Sequence, residues 1–232
     1  IAEAQFIRAF VASRAAALFP RGYVGRQRGD MLIMGLREEP LMRLRNRFTK
    51  RIFDLIVSGA VMLFLLPIMY IVIGFLIKRE SPGPILFKQQ RSGYGNEVFD
   101  IWKFRSLKVN DNSDTVQVTK NDDRRTKIGD FLRRTSLDEF PQFFNVFLGN
   151  MSIVGPRPHM LKHTEEYAAL IDHYMIRHKI KPGITGWAQV NNLRGSTEEL
   201  WKMQKRVDYD VRYLENWSLL LDLRCVWRTV FD

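Results

Sequence analysis

The stretch Leu55–Ile77, LIVSGAVMLFLLPIMYIVIGFLI, is 23 residues long, contains no charged side chain and has Pro67 near its centre. A helix that crosses the hydrocarbon core of a bilayer needs about 20 apolar residues, so the length is sufficient. Pro67 lacks a backbone donor and its ring crowds the carbonyl of Leu63, which predicts a bend at this point. The stretch therefore predicts a proline-broken helix associated with a membrane.

Basic residues flank this apolar stretch on both sides, which constrains its orientation. Because Lys and Arg favour the cytoplasmic side of a membrane, a re-entrant hairpin that turns near Leu66 and Pro67 would place both flanks on that side. A single-pass helix with a kink is the alternative, since neighbouring groups in a membrane protein can satisfy the backbone around a proline. The flanks alone leave both topologies open; their residues are Arg43, Arg45, Arg47, Lys50 and Arg51 before the stretch and Lys78, Arg79 and Lys88 after it.

The composition predicts an anionic partner. The 232 residues carry a formal net charge of +11, which fits nucleic acid, anionic lipid or a phosphorylated substrate. The apolar stretch favours the last two, and no nucleic-acid-binding module accompanies the charge, so we expect no nucleic-acid partner. The single cysteine, Cys225, excludes an internal disulfide and a cysteine cage for a metal. The four histidines have no metal-ligand spacing and are interpreted as surface or interfacial groups: His159, His163, His173 and His178.

Patterning along the rest of the chain predicts a mixture of strands and helices. A hairpin is expected where two strand-like runs flank a turn-rich segment, and the carboxyl-terminal part is helical in pattern. The predicted helices are Ala2–Leu18, a segment around Ile128–Leu132, a segment from Thr135 to Gly149, Lys162–Arg177, and Thr197–Phe231; the predicted strands are Met31–Leu36, Ile85–Arg91 and Glu97–Ser106; Arg21–Gly29, Asp111–Asp123 and Lys181–Gly183 are predicted breaks, loops or turns.

Two cations on the second strand of this hairpin form a candidate anion site. Strand alternation places Lys103 and Arg105 on one face, with Trp102 and Phe104 on the other. The cationic face has the charge to hold a phosphate. A solvated strand face next to a buried aromatic one is the other interpretation.

Adjacent carboxylates at Asp138 and Glu139 form the second candidate site. Ser136 and Glu139 have the spacing of a capping box, which places both acids in the first turn of a helix. The positive end of that helix, with Arg133 and Arg134 close by, is expected to keep Asp138 ionised. An ionised carboxylate can attack phosphorus or bind Mg²⁺. The alternative is that both acids serve only as helix caps.

The run Gly155-Pro156-Arg157-Pro158 is the third candidate. Two prolines fix φ on both sides of Arg157, which lowers the entropy lost when its guanidinium binds a phosphate in a two-point manner. A tight exposed loop explains the same run without any function.

These runs together resemble the signature blocks of the bacterial sugar transferase family, the monotopic phosphoglycosyl transferases. The resemblance extends from about Lys50 to the carboxyl terminus, and the order and spacing of the blocks agree. The blocks are Lys103-Phe104-Arg105-Ser106, Arg133-Arg134-Thr135-Ser136-Leu137-Asp138-Glu139-Phe140-Pro141-Gln142, Gly155-Pro156-Arg157-Pro158 and Lys181-Pro182-Gly183-Ile184-Thr185-Gly186-Trp187-Ala188-Gln189-Val190.

The resemblance implies an enzyme that transfers a sugar 1-phosphate from a UDP-sugar to undecaprenyl phosphate, releases UMP and initiates surface polysaccharide synthesis. It implies that Asp138 is the nucleophile of a covalent phosphosugar intermediate and that Glu139 is its partner in a Mg²⁺-dependent pair. The residues that it implies around substrate and phosphate are Lys103, Arg105, Arg133, Gln142, Pro156, Arg157 and Pro158.

The family also implies a helix-rich α/β fold, monotopic in the membrane, with interfacial amphipathic helices, and it favours the re-entrant form of the apolar stretch. The expected domains are residues 1–49 as a junction from an upstream region, 50–78 as the re-entrant helix broken at Pro67, and 79–232 as a catalytic domain on the cytoplasmic face of the inner membrane. Membrane lipid is an expected partner, and a homodimer is left open. A basic scaffold that is anchored in the membrane and catalyses nothing is the alternative function.

Three positions depart from the family pattern: Leu66 stands where smaller members often have Ser, Leu107 where Met is usual, and Val190-Asn191-Asn192 where Val-Asn-Gly is familiar. Because Asn tolerates the left-handed conformation, we expect the last turn to survive.

Overall fold

The amino-terminal part of the chain contains a two-stranded antiparallel hairpin. In this computed structural model, which describes residues 23–28, 31–36, 39–109, 124–171, 173–195 and 199–231, β1 (Tyr23–Arg28) pairs with β2 (Met31–Leu36) so that Tyr23 lies opposite Leu36. The predicted strand Met31–Leu36 is confirmed as β2. The predicted break at Arg21–Gly29 is wrong over β1, because pairing with β2 supplies the backbone partners that this Gly-containing run does not reveal locally. The predicted helix Ala2–Leu18 lies outside the described residues.

The hairpin belongs to a unit that ends at Glu39, and a second unit, Pro40–Asp232, contains everything else described below. Its first large element is one continuous helix, Leu44–Glu80, with 37 residues. The helix consists of α1 (Leu44–Ala60), a π-helical turn (Val61–Leu65) and α2 (Leu66–Glu80). By length and composition it is capable of crossing a membrane.

The π-helical turn precedes Pro67 directly. The Leu66 N–H donates to the carbonyl of Val61, five residues back, a pattern that absorbs one extra residue before the position where proline provides no donor. Regular α-helical hydrogen bonding is therefore interrupted next to Pro67, while the bend and the re-entrant hairpin stay predictions.

Both ends of the long helix are attached to the same folded unit. At its start, Lys50 Nζ lies 2.7 Å from Asp222 Oδ2, and Asp54 Oδ1 accepts bonds of 2.9 Å from both Ser152 Oγ and the Ile153 N–H. At its end, the carboxylate of Glu80 accepts bonds of 2.7 and 2.9 Å from successive backbone N–H groups of the next helix. The middle of the long helix is exposed, with Leu63 and Phe64 68% and 69% accessible.

A second antiparallel hairpin, β3 (Leu86–Ser92) with β4 (Val98–Phe104), confirms the predicted pair of strands. Phe104 packs with Ile73 and Ile77 of α2 in one buried cluster. The apolar segment and the hairpin therefore share a core.

The helices that follow are α3 (Lys127–Thr135), α4 (Gln142–Leu148), α5 (Leu161–Leu170), α6 (Leu200–Glu215) and α7 (Leu219–Phe231). The helical segment around Ile128 is confirmed, as is the helical character of the carboxyl-terminal part. The predicted stop at Gly149 is also confirmed: its φ is +97° and it caps α4. Residues 110–123, which include the whole predicted loop Asp111–Asp123, lie outside the described residues.

Two predicted helices differ from the structure. The helix predicted from Thr135 begins at Gln142, because Ser136 has a φ of +58° and ends α3. The helix predicted over Lys162–Arg177 ends at Leu170, and a 3₁₀ turn, Tyr174–Lys179, follows His173, whose φ is +65°. Left-handed residues at these positions interrupt runs whose composition is helical.

A short parallel pair, β5 (Ser152–Val154) with β6 (Gly183–Thr185), brings two of the signature runs together. Their backbones pass so closely that a Cβ on Gly183 would lie 2.1 Å from the nitrogen of Gly155. A side chain at position 183 would not fit, so glycine is required here. The fold is a helix-rich α/β arrangement, as predicted, and the Gly-Pro-Arg-Pro run leaves β5 from the centre of the core.

Candidate active site

A cavity of about 560 Å³ opens beside the second hairpin. Phe87, Gln89 and Arg91 alternate along β3 and all line the cavity, whereas Lys88 lies on the other face with its Nζ 4.2 Å from the ring centre of Trp102. Lys103 of β4 lies opposite Phe87. Lys103 and Arg105 both line the cavity, as strand alternation predicted, whereas Phe104, predicted on the other face, also lines it from a buried cluster.

The cavity is strongly positive. In the described part of the chain, Asp138 and Glu139 are the two acids that line it, and they face nine basic side chains. Such a charge ratio in a partly enclosed space favours a ligand with several negative charges. The basic lining residues are Arg91, Lys103, Arg105, Lys108, Arg124, Arg133, Arg157, Arg194 and Arg206.

The two acids lie on a 3₁₀ turn, Leu137–Glu139, between α3 and α4. The predicted capping box is wrong. Ser136 makes no cap bond, and its Oγ accepts a bond of 2.7 Å from Arg194 Nη2. The left-handed Ser136 turns the chain sharply, so both carboxylates point into the cavity and neither caps an α-helix.

The carboxylate of Asp138 is 7% exposed and lines the cavity. Among the described residues it has no hydrogen-bond donor. Burial raises the pKa of Asp138 from its ordinary value; Lys103 opposes the shift, and the negative charge of Glu139 adds to it. The pKa of Asp138 therefore shifts in the direction opposite to the effect of the neighbouring cations, because burial outweighs them, and ionisation of Asp138 at neutral pH stays a prediction.

The pKa of Glu139 shifts in the opposite direction. Burial alone would raise its pKa, but Arg157 and Lys103 outweigh that effect and hold the pKa of Glu139 well below its usual range. Arg157 Nη2 lies 2.5 Å from Glu139 Oε1 and Arg157 Nη1 lies 3.1 Å from Oε2, while Lys103 Nζ is 3.3 Å from Oε1. Glu139 is therefore a fixed anion that positions two cations.

Arg157 is supported from behind by a buried network that the sequence did not indicate. Arg177 Nη2 donates to the Arg157 carbonyl at 2.8 Å and lies 2.9 Å from Asp210 Oδ2, and both side chains of this ion pair are at most 3% exposed. The interpretation of the Gly-Pro-Arg-Pro run as an exposed loop is wrong, because Gly155 and Pro156 are buried.

The remaining predicted phosphate residues occupy different positions. Arg133 lines the cavity and its Nε donates to Ser106 Oγ at 3.0 Å, and Pro158 also lines it. Arg105 reaches the lining too, but its Nη1 and Nη2 donate to the carbonyls of Pro82 and Ser81 at 2.6 and 2.8 Å. A phosphate role for Arg105 stays a prediction. Gln142 and Pro156 are buried outside the lining of the cavity.

The histidines are less exposed than predicted. His159 and His178 are 6% and 8% exposed, so their interpretation as surface groups is wrong. His159 Nδ1 lies 2.7 Å from the Tyr174 hydroxyl, and burial lowers the pKa of His159 well below its ordinary value. His163 lines the cavity, while His173 is exposed as expected.

The side chains of the cavity offer few ligands for a divalent cation. No group of three or more His, Cys, Asp or Glu suited to a metal is found within the described ranges. Both oxygens of Glu139 are engaged by Arg157, so Asp138 is the carboxylate with free lone pairs. Since Mg²⁺ is commonly held by one or two carboxylates together with substrate phosphates and water, these residues fit an ion that shares its ligands with a diphosphate.

Several residues of this cavity were not among the predicted site residues. Arg194 closely follows the Val190-Asn191-Asn192 departure, and Arg206 lies on α6, from which its Nε donates to the Leu193 carbonyl at 3.0 Å. Gln89 and Arg91 show the right alternation on a predicted strand. That alternation was the available signal for them.

Comparison with known proteins gives a consistent result. The family model described as "Bacterial sugar transferase" matches residues 45–232. UDP-glucose:undecaprenyl-phosphate glucose-1-phosphate transferase of Escherichia coli (strain K12) is 50% identical over 200 residues, which cover 86% of this chain and 43% of the relative. Proteins of the same name from Xanthomonas campestris pv. campestris and Caulobacter vibrioides are 49% and 43% identical, over 86% and 82% of this chain and 42% and 72% of the relatives. The chain therefore spans less than half the length of the first two of these relatives.

Proposed function

The chain belongs to the bacterial sugar transferase family, and on that premise we propose that it transfers a sugar 1-phosphate from a UDP-sugar to undecaprenyl phosphate and releases UMP. The observation that carries this proposal is the carboxylate of Asp138, which faces a cavity with nine basic side chains and has no hydrogen-bond donor among the described residues. The product would be the first lipid-linked sugar of a surface polysaccharide.

The first step is an attack of an Asp138 oxygen on the β-phosphorus of the donor. The bond between that phosphorus and the bridging oxygen breaks, and UMP leaves with the oxygen and its negative charge. The new bond makes an acyl phosphate, the mixed anhydride of the aspartyl carboxyl group and the sugar phosphate, which is a form of nucleophilic catalysis. The absence of a competing hydrogen bond leaves the Asp138 oxygens available for this attack.

The second step returns the enzyme to its starting state. A phosphate oxygen of undecaprenyl phosphate attacks the same phosphorus, the bond to Asp138 breaks, and the carboxylate is restored. Because each displacement occurs between anions, the cations of the cavity lower its cost by stabilising the charge on the phosphoryl oxygens. Lys103, Arg133 and Arg157 are the basic side chains that act on Asp138 electrostatically.

Glu139 acts as a positioning residue for these cations. Its two carboxylate oxygens each accept a hydrogen bond from the guanidinium of Arg157, and one of them also forms an ion pair with Lys103. A bound Mg²⁺, shared between Asp138 and the diphosphate, would supply further charge neutralisation and orientation.

The attachment of the long helix supports a re-entrant topology. Lys50 and Glu80 bond to the same folded unit, although a straight helix between them would separate these two residues by about 45 Å. An arrangement with both ends on the cytoplasmic face of the inner membrane places the active site at the level of the lipid phosphates. A water-soluble donor and a membrane-bound acceptor then meet in one cavity.

The exposed apolar residues of α7 support the predicted interfacial helix. Leu220, Trp227 and Val230 are 75%, 63% and 67% exposed, while Asp222 and Cys225 on the other side are buried. An amphipathic helix of this kind suits the boundary between headgroups and acyl chains.

The test of this function compares two aspartates. In lipid nanodiscs with undecaprenyl phosphate, Mg²⁺ and a panel of UDP-sugars that starts with UDP-glucose, the wild-type chain releases UMP and the Asp138→Asn variant loses this release by about 10³-fold or more. Asp208→Asn, a change of an exposed aspartate on α6, retains the wild-type rate. Mass spectrometry of the wild-type chain with donor alone finds the sugar-phosphoryl adduct on Asp138.

Two results would contradict the proposal. Wild-type turnover by Asp138→Asn would remove Asp138 as the nucleophile. A wild-type chain that releases no UMP from any donor, with or without Mg²⁺, would favour the membrane-anchored basic scaffold.

A further inference from the structure

One end of the cavity is apolar and is named here the apolar mouth. Leu86 and Phe104 of this end lie opposite each other on β3 and β4. The next pair of the ladder contains Lys103, whose Nζ lies 3.3 Å from Glu139 Oε1, so the mouth directly adjoins the catalytic turn. The side chains that form the apolar mouth are Pro84, Leu86, Phe104, Leu107 and Val109.

The apolar surface of the mouth continues onto the long apolar helix. Phe104 packs in one cluster with Ile73 and Ile77 of α2, and its ring centre lies 6.5 Å from that of Tyr70. Tyr70 and its neighbour Ile71 are both exposed on that helix. A path of apolar side chains therefore connects the cavity with the exposed apolar face of α2.

The turn that follows α2 fixes one wall of the mouth. Gly83 in this turn has a φ of +123°, and a Cβ at this position would lie 2.7 Å from Val109 Cγ2. The carbonyls of Ser81 and Pro82 in the same turn accept hydrogen bonds from the guanidinium of Arg105. Val109 thus lies against a turn that is held by hydrogen bonds, although Val109 itself is 65% exposed.

An exposed apolar wall next to a cationic cavity indicates a ligand that combines an anion with an apolar chain. A nucleotide sugar is polar along its length and gains little from contact with Leu or Val side chains. In a polyprenyl phosphate, by contrast, an apolar chain is bonded directly to the phosphate, and burial of such a chain against apolar side chains is favourable. The order of cations, apolar mouth and apolar helix matches the order of groups in this lipid.

We infer that the apolar mouth binds the first isoprene units of the acceptor and that Leu107 and Val109 are specificity-determining residues for its chain. This inference rests on the proposed function for the identity of the acceptor. The acceptor phosphate lies among the cations next to Asp138, and the rest of the chain leaves over Phe104 and Tyr70 into the bilayer. Leu107, which stands where the family usually has Met, then contacts the lipid.

The first experiment separates the two half-reactions of the full chain in nanodiscs with Mg²⁺. Single-turnover release of UMP from UDP-glucose alone reports on the donor, and the KM for undecaprenyl phosphate at saturating UDP-glucose reports on the acceptor. Val109→Ser and Leu107→Ala each raise that KM about tenfold, as expected for lost apolar contact in a binding site, and change the donor half-reaction less than twofold. Val109→Leu, which keeps an apolar side chain, leaves the KM within about twofold of the wild type.

Val98→Ser is the matched control, because Val98 is an exposed valine at the other end of β4 and lies outside the cavity lining. It changes neither half-reaction. An unchanged KM for undecaprenyl phosphate in both Val109→Ser and Leu107→Ala would overturn the inference. Equal loss of the donor half-reaction in these variants would overturn it too, since the mouth would then serve the donor or the fold.

The second experiment measures binding without turnover. Equilibrium dialysis against nanodiscs, with empty nanodiscs subtracted, compares geranyl phosphate, which has two isoprene units, with inorganic phosphate. The wild-type chain binds geranyl phosphate at least tenfold more tightly, and Val109→Ser loses most of this difference while it binds inorganic phosphate as the wild type does. Equal binding of both probes to the wild type would overturn the apolar mouth even in a chain that releases UMP. The expected binding pattern in a chain that releases no UMP would overturn the proposed reaction and retain the mouth.

Discussion

Arg157 forms a two-point contact with Glu139: its Nη2 lies 2.5 Å from Oε1 and its Nη1 lies 3.1 Å from Oε2. The pair is formed between residues 18 positions apart, from the loop after β5 and the turn before α4. Because the guanidinium is planar and its bonds are parallel, this contact fixes the orientation of Arg157 as well as its distance. The buried Glu139 is thereby kept ionised next to the proposed nucleophile.

The first prediction concerns that two-point contact. Arg157→Ala leaves the buried Glu139 with Lys103 as its close cation, and we expect kcat/KM for UMP release to fall about 10²- to 10³-fold, as for the loss of one preorganised charged donor. Arg157→Lys keeps the charge but not the planar guanidinium, so its loss of kcat/KM is intermediate. Steady-state kinetics with varied donor measures both, and a wild-type rate for Arg157→Lys would show that orientation is not required.

The second prediction uses two neighbouring arginines. Arg133 lines the cavity, whereas the adjacent Arg134 is exposed outside it. Arg133→Ala removes a cation that acts on Asp138 and is expected to raise the KM for the donor about tenfold. Arg134→Ala, with the same change in net charge, leaves the KM unchanged. Equal effects of the two substitutions would indicate only a general loss of positive charge.

The third prediction is a loss of stability in mild acid that depends on His178. Burial lowers the pKa of His178 to about 4, below the 6.5 of an unfolded histidine. Between these values the unfolded state binds more protons, so stability is full above pH 6.5 and falls as the pH drops towards 4. This residue alone makes the fold about 1–2 kcal/mol less stable at pH 5 than at pH 7.

Thermal unfolding in nanodiscs across that pH range measures the effect. His178→Leu flattens the dependence, while His173→Asn, at an exposed left-handed position that Asn accepts, does not. An identical pH slope in His178→Leu and the wild type would contradict the assignment.

The fourth prediction concerns the path of the long helix. Arg43 and Arg79 flank the apolar segment and are exposed, whereas the one native thiol, Cys225, is fully buried and should react slowly. Single cysteines at Arg43 and Arg79 are both expected to react with an impermeant maleimide in inverted inner-membrane vesicles, and neither in intact cells. Reaction of the two positions from opposite sides would establish a spanning helix instead.

Much of the fold follows from local patterns in the sequence. The second hairpin, the carboxyl-terminal helices and the stop at Gly149 depend on alternation, helical spacing and glycine geometry, which are visible within a few residues. The capping box at Ser136 failed because its partner is Arg194, 58 residues away, and a left-handed φ replaces the expected helix start. Contacts across such distances are set by tertiary packing.

In the candidate site, too, some features were predicted from the sequence and others depend on tertiary packing. Lys103, Asp138, Glu139 and Arg157 meet in one cavity, as the resemblance implied. The direction of the pKa shift of Asp138 could not be predicted, since it depends on burial. Arg105 was selected for its charge, but the turn after α2 uses its guanidinium to satisfy two backbone carbonyls.

The bonds that Lys50 and Asp54 make with the core have a practical consequence for the preparation of this chain without lipid. Lys50, the Tyr213 hydroxyl and the Trp217 indole all converge on the fully buried carboxylate of Asp222, and Asp54 satisfies Ser152 and Ile153. Excision of α1 together with the apolar segment would leave the buried Asp222 without its counter-ion Lys50, at a cost of about 3–5 kcal/mol. The start of the long helix is thus part of the folded core, and a water-soluble version would have to be made by replacing outward-facing apolar residues such as Phe64 and Ile71 with polar ones.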